Sequence, residues 1–321
     1  MLLSRVAEDV YWAGRYVERA EATARLIKVH TELFLDLPKS AGVGWSPLLA
    51  VTGAGAAFSS RHQPPTEEEV VTFLAVDPDN PSSVLASLAQ ARANFRVTRA
   101  VLPRSSWEVL NGLFLWAVDT PADAVDRRTR LGWMDHVVGQ CQLLTGLLAG
   151  TMCHDETYSF LEIGRLVDRA DMTTRVLDVQ AGILIGQSAA AVQPYADVTW
   201  MNVLRSLGTG QLYVEPGGSG VSGPDALRFL LKEPQFPRSV EHCLTAASRC
   251  LLELPAYDEP MAGCAAVQRQ LEDADVARLA EAGLHQFADA LQQGIGALHD
   301  RVTETYFGTA HSGSAMLSAR A

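Results

Sequence analysis

The apolar positions of this chain fall at helical spacing almost throughout. Val10, Ala13, Val17, Ala20, Ala24 and Ile27 follow alternating steps of three and four, which places them on one face of a long α-helix. Phe160, Ile163, Val167, Ala170 and Leu177 carry the same kind of face in the second half of the chain. No run alternates strictly between apolar and polar residues, as a half-buried strand does. Proline and glycine gather between the helical segments, at 38–47, 64–65, 77–81, 216–223 and 234–237, where they punctuate helices. Thr66 followed by Glu67, Glu68 and Glu69 predicts a helix start, with Thr66 as cap and Glu69 three residues on. The predicted fold class is all-α. Residues 217–220 read as a connector and 311–321 as a flexible tail of small, polar residues.

The pattern also repeats. Residues 14–25 align with residues 164–175, with seven of twelve positions identical and two more exchanging Glu for Asp. Trp45 is answered by Trp200, read as packing anchors near helix starts. Phe73, Leu74, Pro78, Pro81, Ser83 and Val84 are answered by Phe229, Leu230, Pro234, Pro237, Ser239 and Val240. Glu304-Thr-Tyr306 resembles Glu156-Thr-Tyr158, as if a third copy were about to begin. Two copies sharing several elements predict one pseudo-twofold helical bundle formed by internal duplication. Its single domain covers 1–310, with repeats of about 1–150 and 151–310. A solenoid needs three or more repeats.

Composition narrows the function classes. Hydrophobic residues make up 48% of the 321 and charged residues 20%, enough for a substantial core. The formal net charge of −11 is the wrong sign for general nucleic-acid binding or an anionic membrane surface. No apolar run reaches the roughly 18–20 residues of a membrane span. Arg5, Glu8 and Asp9 interrupt any secretory signal near the start. The five cysteines include no CxxC pair, which points to reduced thiols in a cytoplasmic protein.

Within the repeat lies a charged stripe. Gly14, Glu18, Glu21 and Arg25 are separated by steps of four, three and four, so they share a narrow arc of a helix beside its apolar face. Charges so placed are partly buried and need partners. Gly14 inside a helix costs roughly 1 kcal/mol against Ala. Its recurrence as Gly164 implies that a backbone or a ligand comes close. On one reading the stripe is structural: Glu21–Arg25 and Asp171–Arg175 pair along their own helices, and Arg19 and Arg169 bridge to the other copy. On the other reading the two clusters line a cleft. Arg15, Arg19, Arg25, Arg165, Arg169 and Arg175, with Glu21 and Asp171, would then bind a carboxylate or phosphate substrate. Glu18 and Asp168 would be the candidate catalytic residues, as base, acid or metal ligand.

Other constellations are weak. No His has Asp or Glu three residues before it, which argues against a di-iron centre in the bundle. His154-Asp155-Glu156 reads as a helix start with acids in its first turn. There is no GxSxG, HExxH, P-loop or GxGxxG. No metal and no cofactor are expected.

The stretch from Ser4 to Glu21, together with Asp155–Thr173 and Phe236-Pro-Arg-Ser-Val240, resembles the bacterial alpha-E family, a helical domain with a Glu-Arg motif. The second copy carries Asp168-Arg169 in place of Glu-Arg, so the halves are not equivalent. The resemblance implies a setting beside a circularly permuted ATP-grasp ligase, often with a transglutaminase-like protein. It therefore implies an accessory partner of an ATP-grasp peptide ligase in peptide synthesis or modification, with a peptide substrate as a further ligand. Two alternatives stand beside it: an enzyme acting on a peptide amide or ester through the Glu-Arg clusters, and a structural scaffold.

Overall fold

The computed structural model describes residues 2–36, 44–62, 64–185, 196–209 and 221–308, and among these every regular element is a helix. The N-terminal half holds α1 (Ser4–Asp36), α2 (Ser46–Val51), α3 (Gly55–Ser59), α4 (Glu67–Ala75), α5 (Val84–Val97), α6 (Arg104–Asp119), α7 (Pro121–Val125) and α8 (Arg130–Thr151). The C-terminal half holds α9 (Glu156–Ile185), α10 (Ala196–Ser206), α11 (Gly223–Lys232), α12 (Val240–Leu252), α13 (Asp258–Glu272), α14 (Val276–Glu281) and α15 (Leu284–Tyr306). The connector at 217–220 and the tail at 311–321 lie outside the described residues.

Helices α1 and α9 are the spine. At ~1.5 Å per residue each runs about 45–50 Å. Val10, Ala13, Ala20, Ala24 and Ile27 are fully buried, as the periodicity required. Helix α1 packs against α9, α5 and α8, while α9 packs against α12 and α15. Helix α6 bridges α5 and α8 on one side, and α13 bridges α12 and α15 on the other. Two four-helix groups thus meet along α1 and α9.

The helix boundaries follow from local chemistry. Thr66 and Glu69 form a reciprocal capping box at the start of α4. Asp155 accepts from the backbone N–H of Thr157 and Tyr158 at the start of α9. The turn before α5 is tied by Asp77, whose side chain accepts from the Asp79 N–H and whose carbonyl accepts from the Ser83 hydroxyl. Glu233 makes the same two bonds with Gln235 and Ser239 before α12. Ser83 and Ser239 then cap their helices. Trp45 and Trp200 are both buried, Trp45 stacked on Phe34 just before α2 and Trp200 inside α10 against Gly223. Glu304–Tyr306 closes α15 instead of opening a helix, so its likeness to Glu156–Tyr158 has no counterpart in position.

The closest approach of the spine explains Gly14 and Gly164. A β-carbon on Gly14 would overlap the Leu161 carbonyl oxygen and sit 3.2 Å from the Arg165 backbone nitrogen. One on Gly164 would overlap the Tyr11 carbonyl and sit 3.3 Å from its Cα. The neighbour that the glycines admit is the facing backbone, not a ligand.

Candidate functional site

Every residue singled out from the stripe stands on α1 or α9, next to that crossing. The two motifs pair across the crossing, each arginine with the acid of the other helix. Arg169 Nε and Nη2 donate to Glu18 Oε1 and Oε2 at 2.9 and 2.6 Å, a forked pair. Arg19 Nη2 donates to Asp168 Oδ1 at 2.7 Å. Glu21 pairs with Arg25 and Asp171 with Arg175 along their own helices. The structural half of the sequence reading is therefore real geometry.

The two sides of this network differ. On the first side Glu18 and Glu21 are 1% and 2% exposed. A residue outside the stripe, Arg238, seals them: its Nη1 donates to Glu18 Oε1 and its Nη2 to Glu21 Oε1, both at 2.6 Å. Gln142 Nε2 adds a longer bond of 3.5 Å to Glu21. Arg165 takes no part in the cross-helix pairing; it pairs with Glu162 on its own helix. The small void beside Gly14 and Arg165, about 10 Å³, is at most the size of one water.

On the second side the network is open. Arg15 Nε and Arg19 Nη2 both donate to Asp168 Oδ1, at 3.0 and 2.7 Å. Arg175 Nε donates to Asp171 Oδ2 at 2.8 Å. These five side chains border a cavity of about 390 Å³, with Trp12, Ser82 and His299 on its wall. The Arg15 guanidinium lies 5.0 Å from the Trp12 ring centre, a cation–π contact. Gly53, in the left-handed region at φ +67°, brings its backbone close to the Arg175 guanidinium.

The electrostatics argue against acid–base chemistry by the two acids. Burial pushes the Glu18 carboxyl up, but the Arg169 and Arg238 charges outweigh it and hold it below the usual range. Asp168 is likewise raised by burial and lowered further by Arg19 and Arg15. Both stay ionised at neutral pH and each is engaged by two guanidinium groups. Burial drives the Cys243 thiol up to about 12 and the Cys141 thiol well above its ordinary value, so neither supplies a thiolate. Among the described residues, no three His, Cys, Asp or Glu side chains are grouped to hold a metal ion.

The stripe did not reveal the cavity's remaining wall. His299 comes from α15; its Nδ1 lies 2.8 Å from the Tyr11 hydroxyl, and its ring stacks on Tyr11. Burial, aided by Arg15 and Arg19, pulls its imidazole down to about 3. It is therefore neutral at physiological pH. With the Tyr11 hydroxyl donating to Nδ1, its proton resides on Nε2. Nothing at 299 marks it in the sequence. Arg238 did carry a signal: it lies in the Phe236–Val240 segment, and in the alignment of Pro81–Val84 with Pro237–Val240 it faces Ser82.

Residues 2–307 match the alpha-E family, described as a predicted alpha-helical domain with a conserved ER motif, and the chain belongs to that family. It is 26% identical over 273 residues to an uncharacterized protein of Mycobacterium bovis and to uncharacterized proteins of two Mycobacterium tuberculosis strains. The match covers 78% of this chain and 30% of each relative. The chain thus spans under a third of the length of these curated relatives. No solved structure matches it. No helix among the described residues is long and apolar enough to cross a membrane.

Proposed function

We propose that this chain is a binding subunit that holds a peptide for an ATP-grasp peptide ligase and performs no chemistry of its own. The observation that carries this reading is the open side of the charged network. Five ionic side chains on two rigid helices border a cavity large enough for a small organic group. Asp168 is held ionised, and both acids are committed to guanidinium partners, an arrangement suited to holding a ligand and not to transferring protons. The ligase enters through the family resemblance. In the mycobacterial relatives the matched region forms part of a longer chain. A transglutaminase-like protein is a second candidate partner, and the cytoplasm is the site of action this reading implies. The recurrence of cross-helix pairs, turns and helix order supports two repeats, about 1–150 and 151–310, in one domain.

The test is reconstitution. The chain is co-expressed with an ATP-grasp ligase and its peptide, the complex is isolated, and ATP-dependent product is measured with and without this chain. The expected result is a stable complex and product only when both proteins are present. Arg19→Gln and Arg175→Gln should raise the KM for peptide more than they lower kcat. If the isolated chain cleaves peptide amides or esters without a ligase, the enzyme reading replaces this one. If no complex forms and the ligase needs no help, the accessory reading fails.

A further inference from the structure

We infer that the open side of the network is a receptor for one carboxylate group carried on a peptide-sized ligand, and that Ser82 is the residue that keeps it open. This rests on the binding role proposed above and deepens it.

The sealed side shows what fills such a site from within. There Arg238, the residue just before the cap Ser239, lays its guanidinium across Glu18 and Glu21. On the open side the residue just before the cap Ser83 is Ser82, which borders the cavity. Its side chain is too short to reach Asp168 and Asp171 as Arg238 reaches Glu18 and Glu21. The space that an arginine occupies on one side is left empty on the other.

Charge decides what can enter. Three guanidinium groups, Arg15, Arg19 and Arg175, face two carboxylates, Asp168 and Asp171, around the cavity. The balance is one positive charge in excess, so a second cation is repelled and a single negative charge is attracted. The acids are already engaged by the arginines. Arg19 and Arg175 are the most accessible of these guanidinium groups, with 22% and 34% of their side-chain surface exposed.

The uncharged wall adds donors. Thr23 is 1% exposed and borders the cavity, yet its hydroxyl has no hydrogen-bond partner among the described residues. The corresponding hydroxyl on the sealed side, Thr173, donates to the Arg169 and Arg238 carbonyls. A buried hydroxyl without a partner costs free energy unless a ligand supplies one. When the Tyr11 hydroxyl donates to its Nδ1, His299 carries a further donor, Nε2–H. Forked guanidinium donors, a hydroxyl and a ring N–H suit a carboxylate. Trp12, Val51 and Met172 provide an apolar flank for the body that carries it. The volume exceeds that of a bare ion, which favours a peptide terminus or an acidic side chain.

The experiment titrates the full chain with four probes by calorimetry. They are N-acetyl-dialanine with a free carboxylate, its C-terminal amide, an N-acetyl-alanyl-glutamyl amide and inorganic phosphate. We expect at least one of the two carboxylates to bind at least tenfold more tightly than the neutral amide and than phosphate; which one binds identifies a terminus or a side chain as the source. Ser82→Arg should abolish that binding while keeping wild-type helicity and thermal stability. Thr23→Val should weaken binding several-fold without lowering the unfolding temperature, a separation that a purely structural Thr23 would not give. Equal binding of acid and amide, a preference for phosphate, binding of no probe, or a folded Ser82→Arg that binds like the wild type overturns the inference. None of these outcomes touches the ligase complex, which is measured separately, so the accessory reading stands or falls on its own test.

Discussion

At the scale of single residues, the two glycines and the two central acids do different work, and substitution separates them. Gly14→Ala places a methyl against the Leu161 carbonyl, a backbone atom with no freedom to swing away. The spine helices would have to part, at a cost of roughly 1–3 kcal/mol or more. Gly112 is a control: it lies exposed in α6 with nothing within 4 Å of an added β-carbon. Gly112→Ala should gain about 0.5–1 kcal/mol from helix propensity alone. Chemical denaturation of both variants checks the contrast, and equal effects would remove the close-approach explanation. Both acids are buried, Glu18 at 1% and Asp168 at 3% exposed, so the two substitutions differ in the surroundings of the arginines they leave behind. Glu18→Gln takes from Arg169 its carboxylate partner and leaves Arg238 with Glu21 alone in a sealed place, which should cost about 3–5 kcal/mol. Asp168→Asn leaves Arg15 and Arg19 beside a cavity that water can enter, so its cost should be smaller, about 1.5–3 kcal/mol. A larger loss at Asp168 than at Glu18 would contradict the open and sealed assignment.

At the scale of elements, what the sequence revealed depended on how local the cause was. The α1 and α9 faces were legible because each buried residue announces itself through its own spacing. The start of α4 was legible because Thr66 and Glu69 sit three apart and complete their box without outside help. Thr66→Ala should cost about 1 kcal/mol and lower protection of the first α4 amides in hydrogen exchange, with the spine unaffected. The cross-helix pairs were half legible: the partners stand in the stripe, but which acid each arginine meets depends on the crossing angle. Arg165 shows the limit. It matches Arg15 in the alignment, but Glu162 stands one turn before it where α1 has Trp12, and that difference turns it back onto its own helix. His299 was not legible, because only tertiary packing brings the end of α15 to the stripe.

At the scale of the whole molecule, buried ionisable groups, His299 and Asp168 of the cavity wall among them, set the acid limit of the fold. His299, packed against Tyr11 and facing Arg15, Arg19 and Asp168, is held down to about 3 by burial and then by Arg15. His30, near Glu67 and hydrogen-bonded to the Gly44 carbonyl, is held down to about 4 by burial. In the unfolded chain a histidine titrates near ~6.5. Between those values the unfolded state binds protons that the folded state refuses, so stability is full above about pH 6.5 and declines as pH falls. Each histidine contributes a slope of roughly 1.4 kcal/mol per pH unit until its folded value is reached. Glu18 and Asp168 add to the loss only below about pH 4, because their folded values lie under the unfolded ones. Urea midpoints measured from pH 7 to pH 4.5 should therefore fall steadily, and His299→Gln should remove about half of that slope. A carboxylate bound beside His299 would favour the imidazolium and make proton uptake by the folded state easier. A saturating carboxylate probe should thus flatten the His299 share of the slope as well as raise the midpoint. It should do neither in Ser82→Arg. A ligand that raises the midpoint equally at every pH would place its charge away from His299 and move the binding site out of this cavity.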